Sequence, residues 1–199
     1  MRKGGLYLAL GDSTVWCNYE TGATGDDLYS TKLYKAIRLN YGNIKHLNKG
    51  LGGHDSSELV SNFYWNGRLT PDLLTIGIGM NDCANQAISL ANFEINLNKV
   101  ISYWKQQNPN IVIILCTPNT TTEATRTPYI ASYRSKMNDI AIANNIFICD
   151  FSTGWTTEQI ATYCSSDTIH PNKAGHQVLH NLLYPVVQSA ASNWLSGLG

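Results

Sequence analysis

The chain is 199 residues long, enough for one domain with a buried core and no more than length requires. Fourteen basic residues balance fourteen acidic ones, and no basic run exceeds two residues, which speaks against nucleic acid or an anionic membrane surface as a partner. Only 14% of residues are charged, and Asn, Thr and Ser carry the polar surface instead, so a small neutral substrate fits better than a charged polymer.

Met1-Arg2-Lys3 is basic, but the apolar run behind it is too short for a signal-peptide core and leads directly into a motif. No stretch approaches the roughly 18 apolar residues of a spanning helix, so no membrane insertion is expected and the chain reads as soluble; localisation and oligomeric state stay open. The five cysteines, Cys17, Cys83, Cys116, Cys149 and Cys164, are odd in number and widely spaced, and are read as free thiols.

Strand-length apolar runs recur at 6–10, 44–47, 73–78, 111–115 and 146–149. The third and fourth do not alternate, as expected of strands covered on both faces. Between them the period turns helical. Asp55-Ser56-Ser57-Glu58 has capping-box spacing ahead of Leu59, Val60 and Phe63. Leu90, Phe93, Leu97, Val100, Ile101 and Trp104 form one apolar stripe behind Ser89 as N-cap, and Ile130, Tyr133, Met137, Ile140 and Ala141 form another. A last helix starts at Lys173, and Pro185 is expected to kink or divide it. The polar loop 117–128 is read as a mobile rim, with Asn119-Thr120-Thr121 matching a glycosylation acceptor of little weight. Alternating strands and helices predict parallel β-α-β units in a single domain, a sheet sandwiched between helix layers.

Four short motifs sit at the ends of these elements: Gly11-Asp12-Ser13-Thr14, Asn48-Lys49-Gly50-Leu51-Gly52-Gly53, Gly79-Met80-Asn81-Asp82, and Asp167-Thr168-Ile169-His170-Pro171. In a parallel sheet of order 2-1-3-4-5 the first three would emerge from adjacent strands at one crevice. A serine hydroxyl needs a base within reach and a third group to hold that base. His170 can be the base for Ser13, and Asp167 can reach its far nitrogen if Thr168-Ile169 turns tightly. Attack on an ester carbonyl puts negative charge on its oxygen, which the backbone N–H groups of Ser13 and Gly53 and the Asn81 amide could stabilise by about 3 to 4 kcal/mol each. Asp12 and Asp82 are read as bracing the loops around the nucleophile and Asn81.

These motifs, in this order, resemble the SGNH hydrolases, also called the GDSL esterases and lipases. The resemblance spans Gly11 to His170 and implies a flavodoxin-like α/β/α sandwich with a five-stranded parallel sheet of order 2-1-3-4-5. It places the nucleophile on Ser13, the acid and base on Asp167 and His170, and the oxyanion hole on Ser13, Gly53 and Asn81, with neither metal nor organic cofactor. Counting from Asn48 puts the glycine donor at Gly53, with Gly52 one residue away. Thr14 departs from the leucine or isoleucine of many members.

Trp16, His54 and Trp155 are candidate substrate-binding residues, and Tyr19, Tyr64 and Trp65 are further aromatics near the crevice. His46, His176 and His180 have no partner motif; the last two have zinc spacing on a helix but no third ligand. The expected activity is hydrolysis of short-chain acyl esters on small molecules or glycans, such as carbohydrate O-deacetylation. The alternatives are a thioesterase, lysophospholipase or acyltransferase with the same residues, or a non-catalytic binding or particle-assembly module.

Overall fold

The computed structural model describes residues 4–16, 21–62 and 69–198. Cys17, Tyr19, Phe63, Tyr64 and Trp65 lie outside these residues. In chain order the elements are β1 (Gly5–Gly11), α1 (Tyr29–Tyr41), β2 (Ile44–Gly50), α2 (Ser56–Ser61), β3 (Leu73–Gly77), α3 (Leu90–Gln107), β4 (Val112–Cys116), α4 (Ile130–Ala143), β5 (Phe147–Cys149), α5 (Ile160–Tyr163), α6 (Lys173–Ala190) and α7 (Ser192–Leu195). The five strands form one parallel sheet in the order β2-β1-β3-β4-β5, as the sequence reading expected.

Strand residues alternate between the two faces. Tyr7, Ala9, Leu73, Ile114 and Cys116 pack beneath α1 and α6, against Leu33, Ile37, Leu179, Leu183 and Val187. Leu8, Leu10, Leu74, Ile76, Ile113 and Leu115 pack on the opposite face against Leu97, Val100, Trp104, Met137 and Ile140 of α3 and α4. β3 is buried at every position because both neighbours and both layers cover it. β2, at one edge, exposes Lys45 and Lys49, charges that discourage pairing with another chain.

The predicted caps are in place. Asp55 accepts from the N–H groups of Ser57 and Glu58 while Glu58 reaches back to the Asp55 N–H. Ser89 accepts from Asn92 N–H at the start of α3. α1 has no such signal: Leu28 occupies its N-cap position, and the sequence reading did not single the helix out. Pro185 does not divide the last helix, which runs from Lys173 through to Ala190. The helix tolerates the missing donor because Leu179, Leu183 and Val187 bury one continuous stripe against the sheet.

The loop 117–128 is a rim only in part: Thr122, Ala124, Thr127 and Pro128 are exposed, while other positions turn inward. Thr117, Asn119 and Thr121 are buried, and Thr117 Oγ1 both donates to Asp150 and accepts from Phe151 N–H. Asn119 is fully buried, so its side chain does not stand as an exposed glycan acceptor. Cys83, Cys116, Cys149 and Cys164 are buried free thiols, with Cys116 and Cys149 paired in register on β4 and β5.

His46 on β2 stacks between Tyr7, at a ring-centroid distance of 4.8 Å, and Tyr34, at 5.5 Å. Burial pushes its imidazole down to about 4, so the folded chain holds it neutral. The unfolded chain takes a proton there first as pH falls below about 6.5, and the fold then loses stability until the folded-state imidazole itself titrates. Urea midpoints measured near pH 7 and near pH 5 should therefore fall further in the wild type than in His46→Phe; equal falls would show that the histidine plays no part in acid lability.

Candidate functional site

The carboxyl ends of β2, β1 and β3 carry a row of glycines: Gly11 is in register with Gly50 on one side and Gly77 on the other. A Cβ on Gly11 would lie 1.9 Å from the Gly77 carbonyl oxygen, and one on Gly50 would lie 2.4 Å from Trp16 N. Only glycine permits the segment after β1 to fold down onto the sheet edge here. That segment is a tight turn in which Val15 and Trp16 N–H groups donate to the Asp12 carbonyl and Thr14 N–H donates to the Asp12 carboxylate at 2.8 Å. Asn48 ties it to β2 by donating to the Val15 carbonyl at 2.7 Å while accepting from Gly50 N–H.

Ser13 lies on this turn, 9% exposed. Its Oγ is 2.8 Å from Nε2 of His170, and Nδ1 of the same ring is 2.5 Å from Oδ2 of Asp167. An ionised carboxylate only accepts, so Asp167 holds Nδ1 as the N–H, and Nε2 is left to accept from the serine hydroxyl. Residues 13 and 170 thus meet across almost the whole chain.

The loop carrying Asp167 and His170 is clamped at both ends. Cys164 and Pro171 form an antiparallel bridge, Ser165 N–H donates to the His170 carbonyl at 2.9 Å, and Asn172 caps α6 while its amide donates to the carbonyls of Thr162 and Cys164. Thr168 takes a left-handed conformation, with φ 60°, which folds the loop tightly enough for Asp167 Oδ1 to accept from Ile169 N–H, His170 N–H and Ser165 Oγ. Partial burial raises the Asp167 carboxyl, but the hydrogen bonds from His170, Ile169 and Ser165 outweigh it and hold it at about 2. The carboxylate stays charged through the working range of a histidine base.

On the far side of Ser13, the Asn81 amide donates to the His54 carbonyl at 2.8 Å, which places it beside Gly53. Gly53 has a left-handed backbone, φ 79°, and Gly52 lies against the Trp16 ring. Among the described residues, neither Ser13 N–H nor Gly53 N–H donates to a protein acceptor. Asn81 Nδ2 has a second hydrogen beyond the one given to His54. The N–H groups of Ser13 and Gly53 and one Asn81 amide hydrogen are therefore left without a protein acceptor among the described residues.

Asp12 and Asp82 brace it from beneath. Burial pushes Asp12 up to about 6, against the pull of its hydrogen bond from Thr14 N–H within the Ser13 turn. Asp82 accepts from Ser56 N–H at 2.9 Å, and burial raises it to about 6 as well.

Of the three candidate substrate-binding residues, two border open space. Trp16, 43% exposed, and His54 line a cavity of about 530 Å³ together with Leu10, Leu51, Leu59 and Asn62. Trp155 is a correction: it is 2% exposed, edge-on to Tyr163 at 5.3 Å, in the core beneath α6. Gly175 makes room for its indole, since a Cβ there would lie 2.9 Å from the ring. His176 and His180 are stacked on Tyr29 and Tyr184, and among the described residues no group of three or more His, Cys, Asp or Glu side chains could hold a metal ion. No helix among the described residues is long and apolar enough to cross a membrane.

Sequence reasoning missed Arg126, which donates to the Met80 carbonyl and the Asn81 side chain, and Asn119, whose amide holds the Ile169 carbonyl at 3.0 Å. Both sit in the loop read as a rim, and no local pattern marks either.

A parallel sheet of this order between two helix layers is a flavodoxin-like α/β/α architecture, with the Ser13, Asn81 and His170 loops at its carboxyl edge. Residues 9–178 match the model of the GDSL-like lipase/acylhydrolase family, and the chain belongs to that family. Family and fold together imply an esterase or lipase. A comparison with curated protein sequences gave no match. Among solved structures the chain is similar to a carbohydrate acetylesterase family member from Sinorhizobium meliloti, at 17% identity over 94% of this chain and 99% of that one, with a TM-score of 0.75. It is similar to a carbohydrate esterase family 3 protein from Talaromyces cellulolyticus, at 15% identity over 95% and 99%, with a TM-score of 0.77. An alpha/beta hydrolase enzyme from the metagenome of Lake Arreo, Spain, matches at 21% identity over 100% and 98%, with a TM-score of 0.73.

The Asp82 carboxyl yields a stability prediction. Its folded-state value, about 6, lies above the ordinary 3.8, so the fold favours its protonated form. Ionisation therefore weakens the fold above about pH 6, and the penalty fades as pH falls toward 4. Asp82→Asn, which keeps the acceptor for Ser56, should raise the melting temperature near pH 8 and do so less near pH 4.5. A gain of the same size at both would contradict the buried charge as its source.

Proposed function

We propose that the chain is a serine ester hydrolase acting on short-chain acyl esters through an acyl-enzyme on Ser13. The observation that carries this reading is the continuous line Ser13 Oγ, His170, Asp167, at 2.8 Å and 2.5 Å. His170 Nε2 takes the hydroxyl proton as Oγ attacks the carbonyl carbon, and Asp167 stabilises the imidazolium so formed. The carbonyl oxygen gains negative charge facing the N–H groups of Ser13 and Gly53 and the Asn81 amide. His170 then gives its proton to the leaving alcohol, the tetrahedral intermediate collapses to the acyl-enzyme, and water, deprotonated by His170, releases the acid. No step needs a metal or an organic cofactor.

An O-acetylated carbohydrate is the substrate class we favour. Trp16 presents an exposed ring three residues from the nucleophile, a surface that suits the apolar face of a sugar. Two of the structural relatives are described as carbohydrate esterases. A second reading, with a longer acyl chain as in a thioesterase or lysophospholipase, draws on the leucines that line the cavity beside Trp16.

A panel of nitrophenyl esters from acetate to dodecanoate, with acetylated xylan added, separates the two. Acetate should be turned over fastest, and Ser13→Ala should abolish the rate; equal rates for wild type and Ser13→Ala would remove the enzyme reading. Asn81→Ala should lower turnover by about 100-fold or more while leaving the fold intact. Turnover that survives Asn81→Ala undiminished would reject the amide as an oxyanion donor.

A further inference from the structure

Asn81 is useful as a donor only if its amide points the right way. An asparagine amide has a donor end and an acceptor end of nearly equal size, and a half-turn about its last torsion would present Oδ1 to the oxyanion instead of N–H. Oxygen facing oxygen would oppose the reaction. Something must select one orientation.

Two opposed hydrogen bonds do so. On one side, Asn81 Nδ2 donates to the His54 carbonyl at 2.8 Å. On the other, Arg126 Nη2 donates to Asn81 Oδ1 at 3.4 Å, and its Nε donates to the carbonyl of Met80 at 3.0 Å. A flipped amide would set its N–H₂ against the guanidinium and its oxygen against a carbonyl, losing both bonds. The guanidinium is itself fixed, by Nη1 donating to Glu123 Oε2 at 2.8 Å. The Thr125 hydroxyl, against the opposing pull of burial and together with hydrogen bonds from Thr125 N–H and Arg126, holds Glu123 at about 2. Asn85 N–H donates to the Thr125 carbonyl at 2.8 Å, tying the loop after Asn81 to the same unit.

We infer that Arg126, locked by Glu123, is a positioning residue that sets the orientation of the Asn81 amide and polarises it as an oxyanion donor. The inference rests on the esterase reading above. Withdrawing electron density through Oδ1 strengthens the N–H donors at the other end, and the fixed positive charge favours the negative charge that grows on the substrate oxygen. Arg126 touches no reacting atom in this arrangement; it acts through Asn81.

A double-mutant cycle on the ester substrate tests this. Arg126→Met should lower kcat by about 10-fold with KM changed less than about 2-fold. In the Asn81→Ala background the same substitution should change kcat less than about 2-fold, because the group it works through is gone. An unchanged kcat in the wild-type background, or an equal loss in both backgrounds, would overturn the inference. Should Arg126→Met fail to fold, Glu123→Gln, which keeps the guanidinium but weakens its anchor, is carried through the same cycle with the same criterion. Exchange of the Asn81 side-chain N–H hydrogens, followed by NMR, needs no turnover. It should be faster in Arg126→Met or Glu123→Gln than in wild type, and unchanged exchange overturns the clamp. A wild type that hydrolyses no ester while showing this faster exchange in the variants would sink the enzyme reading and leave the clamp standing.

Discussion

The structure depends on how closely backbone can approach backbone at the carboxyl edge of three adjacent strands. Gly11, Gly50 and Gly77 stand side by side in register, and the turn carrying Ser13 lies directly upon them. A side chain at Gly11 would collide with the neighbouring strand, and one at Gly50 with the turn itself. From this contact follow the position of the serine, the reach needed of His170, and the space left for the Asn81 loop. The helical layers hold the sheet; the glycine row decides what can be built on its edge.

Around that edge, polar groups are arranged so that each loop is tied to the next. Asn48 joins the end of β2 to the Ser13 turn, Asp82 joins the loop after β3 to the start of α2, and Asn119 joins the loop after β4 to the one carrying His170. Several of these ties are buried, where a satisfied hydrogen bond is worth more than in water and an unsatisfied one costs more. The raised carboxyls of Asp12 and Asp82 show the expense of placing acids under such a site. On the proposed esterase reading, rigid support of this kind lets donors wait for a charge that exists only briefly.

Much of this was legible in the residues. The non-alternating runs of β3 and β4 announced strands covered on both faces, and the capping residues Asp55 and Ser89 marked where α2 and α3 begin. Ser13, Gly53, Asn81, Asp167 and His170 sit in motifs whose chemistry can be reasoned from residue type and from position after a strand. α1 was harder, since it starts without a polar cap and its short buried stripe of Tyr29, Leu33 and Ile37 is interrupted by the polar Ser30. Trp155 misled because an aromatic near a loop reads the same whether it faces solvent or slips beneath a glycine. The loop 117–128 misled because polar composition suggests solvation, whereas here threonines and an asparagine turn inward to bind carbonyls and a carboxylate. Arg126 was invisible for a related reason: its partners, Met80 and Asn81, lie some 45 residues away in sequence.

The pairing of residue 13 with residue 170 has a consequence for biosynthesis. A ribosome making this chain adds His170 only after Ser13 and all five strands have been made. Until then the serine is an ordinary alcohol. On the proposed reading, a nascent chain stopped before His170 carries no competent centre, and reactivity toward esters waits until the loop ahead of the last long helix settles beside Ser13.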